Sequence, residues 1–402
     1  MIKECDIIII GAGPTGLFTA VNINGKSILI LEKKPTAGKK LLMSGSGRCN
    51  ITQSGSISDF FNHYGDGKRF LIPALKEFTN NNLIEYLRIH GLRTIDIKGK
   101  IFPESEDAYD VLDLLLKECK KKKVSINYNE NIQKIEVIDK CFSILTDKDS
   151  YRCNQLVIST GGKSYPTTGS TGDGYHFAKA LGHTIEKAKP ALAPVYIKNY
   201  TFSELSGISL ENRKIAIVRN NQTIRTNQGD IGFTHWGFSG PGILDLSRYI
   251  EANDTLKINL INQNPETFRE HINQTAINDN KITIKKYLKT FAIPESLIKL
   301  ILADLNVEPS SHISGISKVQ RNEIIRLFCE YPFIVQRTGD FNIAMATKGG
   351  VSLKEVSSKT MESKLVKNLY FAGEVLDIDG DTGGYNLQAA FSTGYLVAKN
   401  IS

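Results

Sequence analysis

The sequence has no apolar run approaching the roughly 18 residues that a membrane span requires, so no transmembrane segment is expected. Its six cysteines, Cys5, Cys49, Cys119, Cys141, Cys153 and Cys329, form no C-x-x-C pair. That scatter suits reduced thiols and argues against a disulfide framework or a zinc site. No two histidines stand at metal-ligand spacing, so no metal is expected. Internal repeats and low-complexity linkers are also missing. The residues before Ile7 contain neither a basic leader nor a small-residue cleavage site, and the expected location is cytoplasmic.

Excess charge is scarce too. A formal charge of +8 over 402 residues includes one dense cationic run, Lys120 to Lys123. It closes a helix-like segment from Val111 to Cys119, where cations complement the helix dipole and stay solvated. Neither a membrane surface nor nucleic acid is therefore an expected partner, although the positive balance keeps an RNA-binding or RNA-modifying flavoprotein as an alternative. The oligomeric state is not legible.

What is present begins with a strand, turn, helix and strand. Ile7 to Ile10 is continuously apolar, as in a parallel sheet covered on both faces. Gly11, Gly13 and Gly16 follow, with Pro14 and Thr15 between them. In such a fingerprint the first glycine makes the tight turn, the second lets backbone approach a pyrophosphate, and the third lets helix and strand pack closely. The helix start aims free N–H groups at the phosphates. After the second strand, Ser27 to Leu31, Glu32 can accept hydrogen bonds from a ribose hydroxyl pair and disfavours a 2′-phosphate, leaving FAD or NAD.

Helical periodicity marks residues 70–90 and 107–119, and short strands are expected at 124–128, 132–138, 141–146 and 156–159. Strand and turn signals dominate from about 191 to 262. A helical pattern then runs to about 330, broken at Pro265, Pro294 and Pro309. Apolar Leu369 to Phe371 leads into Gly373 and Glu374, and Asn386 to Ile401 reads as a last helix.

The segment from Gly38 to Thr52 resembles the signature of the BaiN-like (YhiN-type) Rossmann flavoproteins, a group that includes proteins described as bile-acid reductases and as an aminoacetone oxidase. The resemblance continues through Gly232 to Pro241, Thr347 to Val351, Thr360 to Lys364 and Gly373 to Gln388. It implies an α/β fold: a Rossmann-type FAD-binding domain of the glutathione-reductase-like, two-dinucleotide-binding superfamily (1–190 and 346–402). It also implies an inserted β-rich domain (191–262 and 331–345) and a small helical subdomain (263–330).

The same resemblance implies FAD, with Gly11, Gly13, Pro14, Thr15, Gly16, Glu32 and Lys33 at the ADP half and Ile132 beside adenine. Thr160 and Gly161 would lie near the phosphates. Lys40, Gly47, Arg48, Cys49, Asn50 and Thr52 would lie toward the ribityl or flavin portion. Gly373 and Glu374 would close on the FAD chain, and Gly384, Asn386 and Leu387 would direct helix-start N–H groups at the flavin pyrimidine edge. Ser46 departs from the pattern at a position where glycine is usual.

The expected activity is flavin-mediated hydride transfer to or from a small organic substrate entering between the FAD domain and the inserted domains. NAD(P)H is the expected electron donor, docking transiently, since no second glycine fingerprint lies between a strand and a helix. The alternative enzyme is an oxidase of a small amine using O2. His235, beside Trp236 in a glycine-rich turn, and Tyr385 are candidate proton donors, each with a plain packing role as the competing reading. A dithiol role for Cys49 is disfavoured because no second cysteine lies nearby in sequence.

Overall fold

The structure is a computed structural model describing residues 2–279 and 281–401. Its central sheet places four parallel strands side by side, in the order Ser125–Tyr128, Ile28–Glu32, Ile2–Ile10 and Ser150–Ile158. Strand Leu369–Phe371 joins the far side of the last, with Leu369 opposite Leu156. Ile7, Ile8 and Ile9 are fully buried and Ile10 nearly so. An all-isoleucine run is stable here because β-branched side chains fit the pleat and both faces are covered.

Strand Ser150–Ile158 is longer than its apolar run predicts. Its first half buries alternate residues, Tyr151 and Cys153, and pairs antiparallel with Cys141–Thr146, which pairs with Ile132–Ile138. That half reads as polar because only one face is covered.

Helix Pro14–Asn22 packs on the final helix, Tyr385–Asn400. Gly394 lets them approach: a Cβ there would lie 2.9 Å from Thr19 Oγ1 and 3.1 Å from Thr15 O. Phe18 fills the seam, edge-on to Phe391 at 5.0 Å. Burying such a ring contributes roughly 2–3 kcal/mol.

The chain divides into two compact units, Met1–Ala191 with Phe341–Ser402, and Leu192–Asp340. The second is built on a closed six-stranded antiparallel barrel. Its longest hairpin, Ser209–Arg219 with Gln222–Phe233, turns at Asn220 and Asn221, both left-handed with φ of 50° and 62°. Asparagine tolerates that conformation better than other side chains. Helices Pro265–Asn278, Ile284–Lys289, Glu295–Asp304 and Lys318–Cys329 share one apolar core with the barrel, joining Phe268, Ile298 and Phe328 to Ile258 and Phe333. Pro265, read above as a break, instead opens a helix. It sits at the first turn, where no N–H is needed, and the Asn264 side chain caps Thr267 N at 2.8 Å.

Candidate functional site

The glycine turn behaves as its spacing requires. Gly11 has a φ of +101°, and a Cβ there would lie 2.8 Å from Ser159 O. At Gly16 a Cβ would lie 2.0 Å from Gly11 O, so no side chain fits. Gly13 faces open space, with no atom within 4 Å of its Cβ position. Pro14 takes the first helical position. Gly13 is therefore open on the side where the first free N–H groups of the helix emerge, and those groups favour an anion.

Both oxygens of Glu32 fasten this loop. Oε2 accepts from Ala12 N and Oε1 from Lys34 N, each at 2.8 Å. Each oxygen keeps a lone pair for a hydroxyl. Lys33 turns elsewhere, pairing with Asp173 at 2.5 Å. Ile132 starts the strand opposite Thr146 and is half-buried.

Thr15 is buried against the second glycine element, where a Cβ on Gly373 would lie 2.5 Å from Thr15 Oγ1. Gly373 itself has a φ of +74° and donates its N–H to Thr393 at 3.0 Å. Glu374 is the hub of a polar cluster. It accepts from Lys40 Nζ at 2.7 Å, from Thr347 N at 2.7 Å and from Ser164 Oγ at 3.3 Å. Thr160 and Gly161 form the turn after strand Ser150–Ile158, and Gly161 has a φ of +72°. Next to it, Gly162 packs so tightly that a Cβ would lie 2.5 Å from Thr347 Oγ1.

The loop from Ser44 to Thr52 is held in left-handed backbone at Gly45, Ser46 and Gly47, with φ of 57°, 58° and 88°. Glycine is the natural occupant there, and Ser46 bears strain of about 1 kcal/mol. Arg48 points to solvent, pairing with Glu106 at 2.6 Å over the Phe102 ring. Cys49 is fully buried, and burial pushes its thiol up to about 12. That keeps it a protonated packing group. Asn50 carries its Oδ1 in a buried position without a hydrogen-bond partner. Thr52 donates to Gln388 Oε1 at 2.8 Å.

The same loop meets the start of the final helix. A Cβ on Gly384 would lie 2.8 Å from Thr52 Cα and 2.9 Å from Asn50 Oδ1. The Asn386 side chain is consumed locally, accepting from Gly380 N at 2.8 Å and donating to Gly380 O at 2.9 Å. Leu387 follows on the first turn of that helix. A small cleft opens nearby, lined by Tyr64, Gly373, Glu374, Ile378, Gly380 and Asn386 among others.

Sequence reasoning missed one pair, next in sequence to the lining residues Tyr64 and Gly380. His63 Nδ1 lies 2.9 Å from Asp381 Oδ2, and the imidazole stacks on Tyr385 at 4.1 Å, 13° from parallel. Tyr64, fully buried, donates its hydroxyl to Tyr385 O at 2.9 Å. Asp381 stands inside a motif block already singled out, whereas His63 carried no signal. Tyr385 belongs to this first unit. His235 is exposed in the second unit, between strands Gln222–Phe233 and Gly237–Ser239.

The family model described as "HI0933-like protein Rossmann domain" matches residues 5–400. The chain belongs to the HI0933-like family. This HI0933-like chain is 33% identical, over 100% of both chains, to a ribosomal RNA dihydrouridine synthase of Haemophilus influenzae. It is 30% identical, over 97% of each, to a 3-dehydro-bile acid delta(4,6)-reductase of Clostridium scindens. Among solved structures it is similar to the 3-ketosteroid delta1-dehydrogenase of Sterolibacterium denitrificans, with a TM-score of 0.52 at 12% identity, covering 99% of both chains. The fold is the Rossmann-type FAD-binding fold, and both of these relatives carry the names of enzymes. The first relative's name stands against the expectation that nucleic acid is no partner. No helix among the described residues is long and apolar enough to cross a membrane.

FAD suits the residues present. Gly13 leaves space at a helix start, Glu32 has lone pairs to spare, and the orphaned Asn50 Oδ1 is an acceptor awaiting a donor.

Proposed function

We propose that this chain is an FAD-dependent reductase that saturates a carbon–carbon double bond conjugated to a carbonyl, with NAD(P)H as electron donor and a uracil base of RNA as substrate. The observation that carries the reading is full-length similarity to relatives whose names describe one kind of step. A dihydrouridine synthase saturates the bond beside the uracil C4 carbonyl, and a delta(4,6)-reductase saturates ring double bonds conjugated to a 3-keto group. At the uracil bond a hydride adds to the β carbon, C6, and a proton to the α carbon, C5, so two electrons from NAD(P)H and one proton balance the reaction. The positive charge of the chain favours the polyanionic substrate.

Bound FAD would supply hydride-transfer chemistry between NAD(P)H and the substrate. Gly11, Gly13 and Gly16 would leave backbone N–H groups for its diphosphate, and Glu32 would take the ribose hydroxyls. Thr15, Thr160, Gly161 and Gly373 shape the phosphate side, with Lys40 and Glu374 bracing it. Asn50, Thr52, Gly384 and the backbone of Asn386 and Leu387 seat the ring end. Asp381 holds Nδ1 of His63, leaving Nε2 to deliver the α-carbon proton. Tyr385 packs flat on His63 and fixes its plane.

The test incubates the purified yellow enzyme anaerobically with NADH or NADPH and either unmodified ribosomal RNA or a Δ4-3-ketosteroid. Nucleosides and steroids are then weighed by mass spectrometry. A uridine gain of two mass units in the RNA arm is the expected result. Reduction of the steroid alone would transfer the reading to the bile-acid relative's chemistry, and bleaching by an amine in the absence of nicotinamide would replace it with an oxidase.

A further inference from the structure

Trp236, the single tryptophan of the chain, is 61% exposed rather than placed in a core. It stands at the end of three adjacent barrel strands, Tyr331–Thr338, Val195–Ile197 and Gly237–Ser239. In the middle strand Val195 and Ile197 are buried, so Tyr196 points outward, flanked by Arg337 on one neighbour and Gly237 on the other. The register explains why Arg337 arrives there. Tyr196 opposes Arg337 but Ile197 opposes Val335, so Gln336 is an extra residue, and such a bulge re-aims the side chain beside it.

The result is a row of flat groups on the outside of the barrel. The Arg337 guanidinium lies 3.8 Å from the centre of the Tyr196 ring, and the Trp236 indole lies 6.0 Å from that ring at 20° from parallel. His235 continues the row, 5.9 Å from the indole. Arg337 has no carboxylate partner among the described residues, and its recorded hydrogen bond goes to Thr338 O at 3.3 Å. Lys198, two positions beyond Tyr196 on the same face, is exposed as well.

We propose that this row is a stacking subsite for an unpaired base of single-stranded RNA, separate from the nucleotide that is reduced. The proposal rests on the RNA reading above. Every nucleobase offers a π-face to an indole or phenol, and the neighbouring phosphates offer charge to Arg337 and Lys198. A saturated steroid skeleton has no π-face to offer the row.

Because the chain has one tryptophan, its emission reports the subsite directly. The probe is a single-stranded oligouridine titrated into the FAD-loaded enzyme. Quenching of tryptophan emission is expected, and Trp236→Ala should weaken binding by about tenfold or more. Trp236→Phe should recover most of that loss, and Arg337→Gln should lower the slope of log affinity against log salt by about 1. Each variant must first match the wild-type flavin content and melting temperature. Wild-type affinity in Trp236→Ala, while the wild-type enzyme binds and reduces RNA, would overturn the subsite and leave the substrate reading intact. A wild-type enzyme that neither binds nor reduces RNA overturns both. Quenching by a Δ4-3-ketosteroid and not by oligouridine also overturns the subsite.

Discussion

The imidazole of His63 is gripped from one side by the Asp381 carboxylate, at 2.9 Å. That contact orients the ring, and in the proposed reaction it leaves Nε2 as the proton donor. Replacing His63 with Gln should slow substrate reduction by about 100-fold, the low end of a general-acid contribution. Stopped-flow bleaching of the flavin by NADPH, which needs no substrate proton, should proceed as before. A matching loss in that half-reaction would instead assign His63 to cofactor seating.

Gly13 and Gly16 separate folding from binding. A Cβ at Gly16 would collide with Gly11 O at 2.0 Å, so Gly16→Ala should lower the melting temperature and yield colourless protein. Gly13→Ala meets nothing within 4 Å, so the apoprotein should melt like wild type. Its methyl group would occupy the space left for the diphosphate, and FAD affinity should fall at least tenfold, measured by retained flavin fluorescence. Unchanged affinity in Gly13→Ala would move the phosphates elsewhere.

Lys40 and Glu374 are joined at 2.7 Å, and both side chains are mostly shielded, at 26% and 20% exposure. Removing the cation leaves a carboxylate that still accepts from Thr347 N but has lost its countercharge. Lys40→Met should destabilise the folded chain by about 2 kcal/mol, less than the loss for a fully buried pair. A double-mutant cycle with Glu374→Gln should recover part of it.

Burial pushes the thiols of Cys49 and Cys119 up to about 12 each, from an ordinary value of 9.0. The folded chain therefore keeps these protons in a range where the unfolded chain releases them. Stability is intact below pH 9 and falls from there toward pH 12, by about 1.4 kcal/mol per pH unit for each such thiol. Urea titrations at pH 8 and 10 should show the drop. Iodoacetamide should label Cys49 only after unfolding.

The opening unit was legible because its signals are local: an isoleucine run, three glycines and an acid, all within 32 residues. Helices Glu295–Asp304 and Lys318–Cys329 carry their own periodicity and lie within the helical pattern expected up to about 330. Pro265 misled because proline breaks a helix interior but suits its first turn, and only the Asn264 cap distinguishes the two. The first half of strand Ser150–Ile158 was hidden by its one-sided burial. The His63 to Asp381 contact spans 318 positions, a distance at which no spacing rule operates. Ser46, noted only as a departure from glycine, proves to occupy left-handed backbone, and Ser46→Gly is the natural way to relax it.

Strand Leu369–Phe371 completes a sheet whose other members lie within the first 158 residues. During synthesis, the segment Leu192–Asp340, continuous in sequence, has left the ribosome whole while the nucleotide-holding sheet still awaits its last strand. Ribosome-bound chains stalled before residue 369 should accordingly hold a folded barrel and no yellow colour, so capture of the flavin waits on the strand that follows the barrel segment.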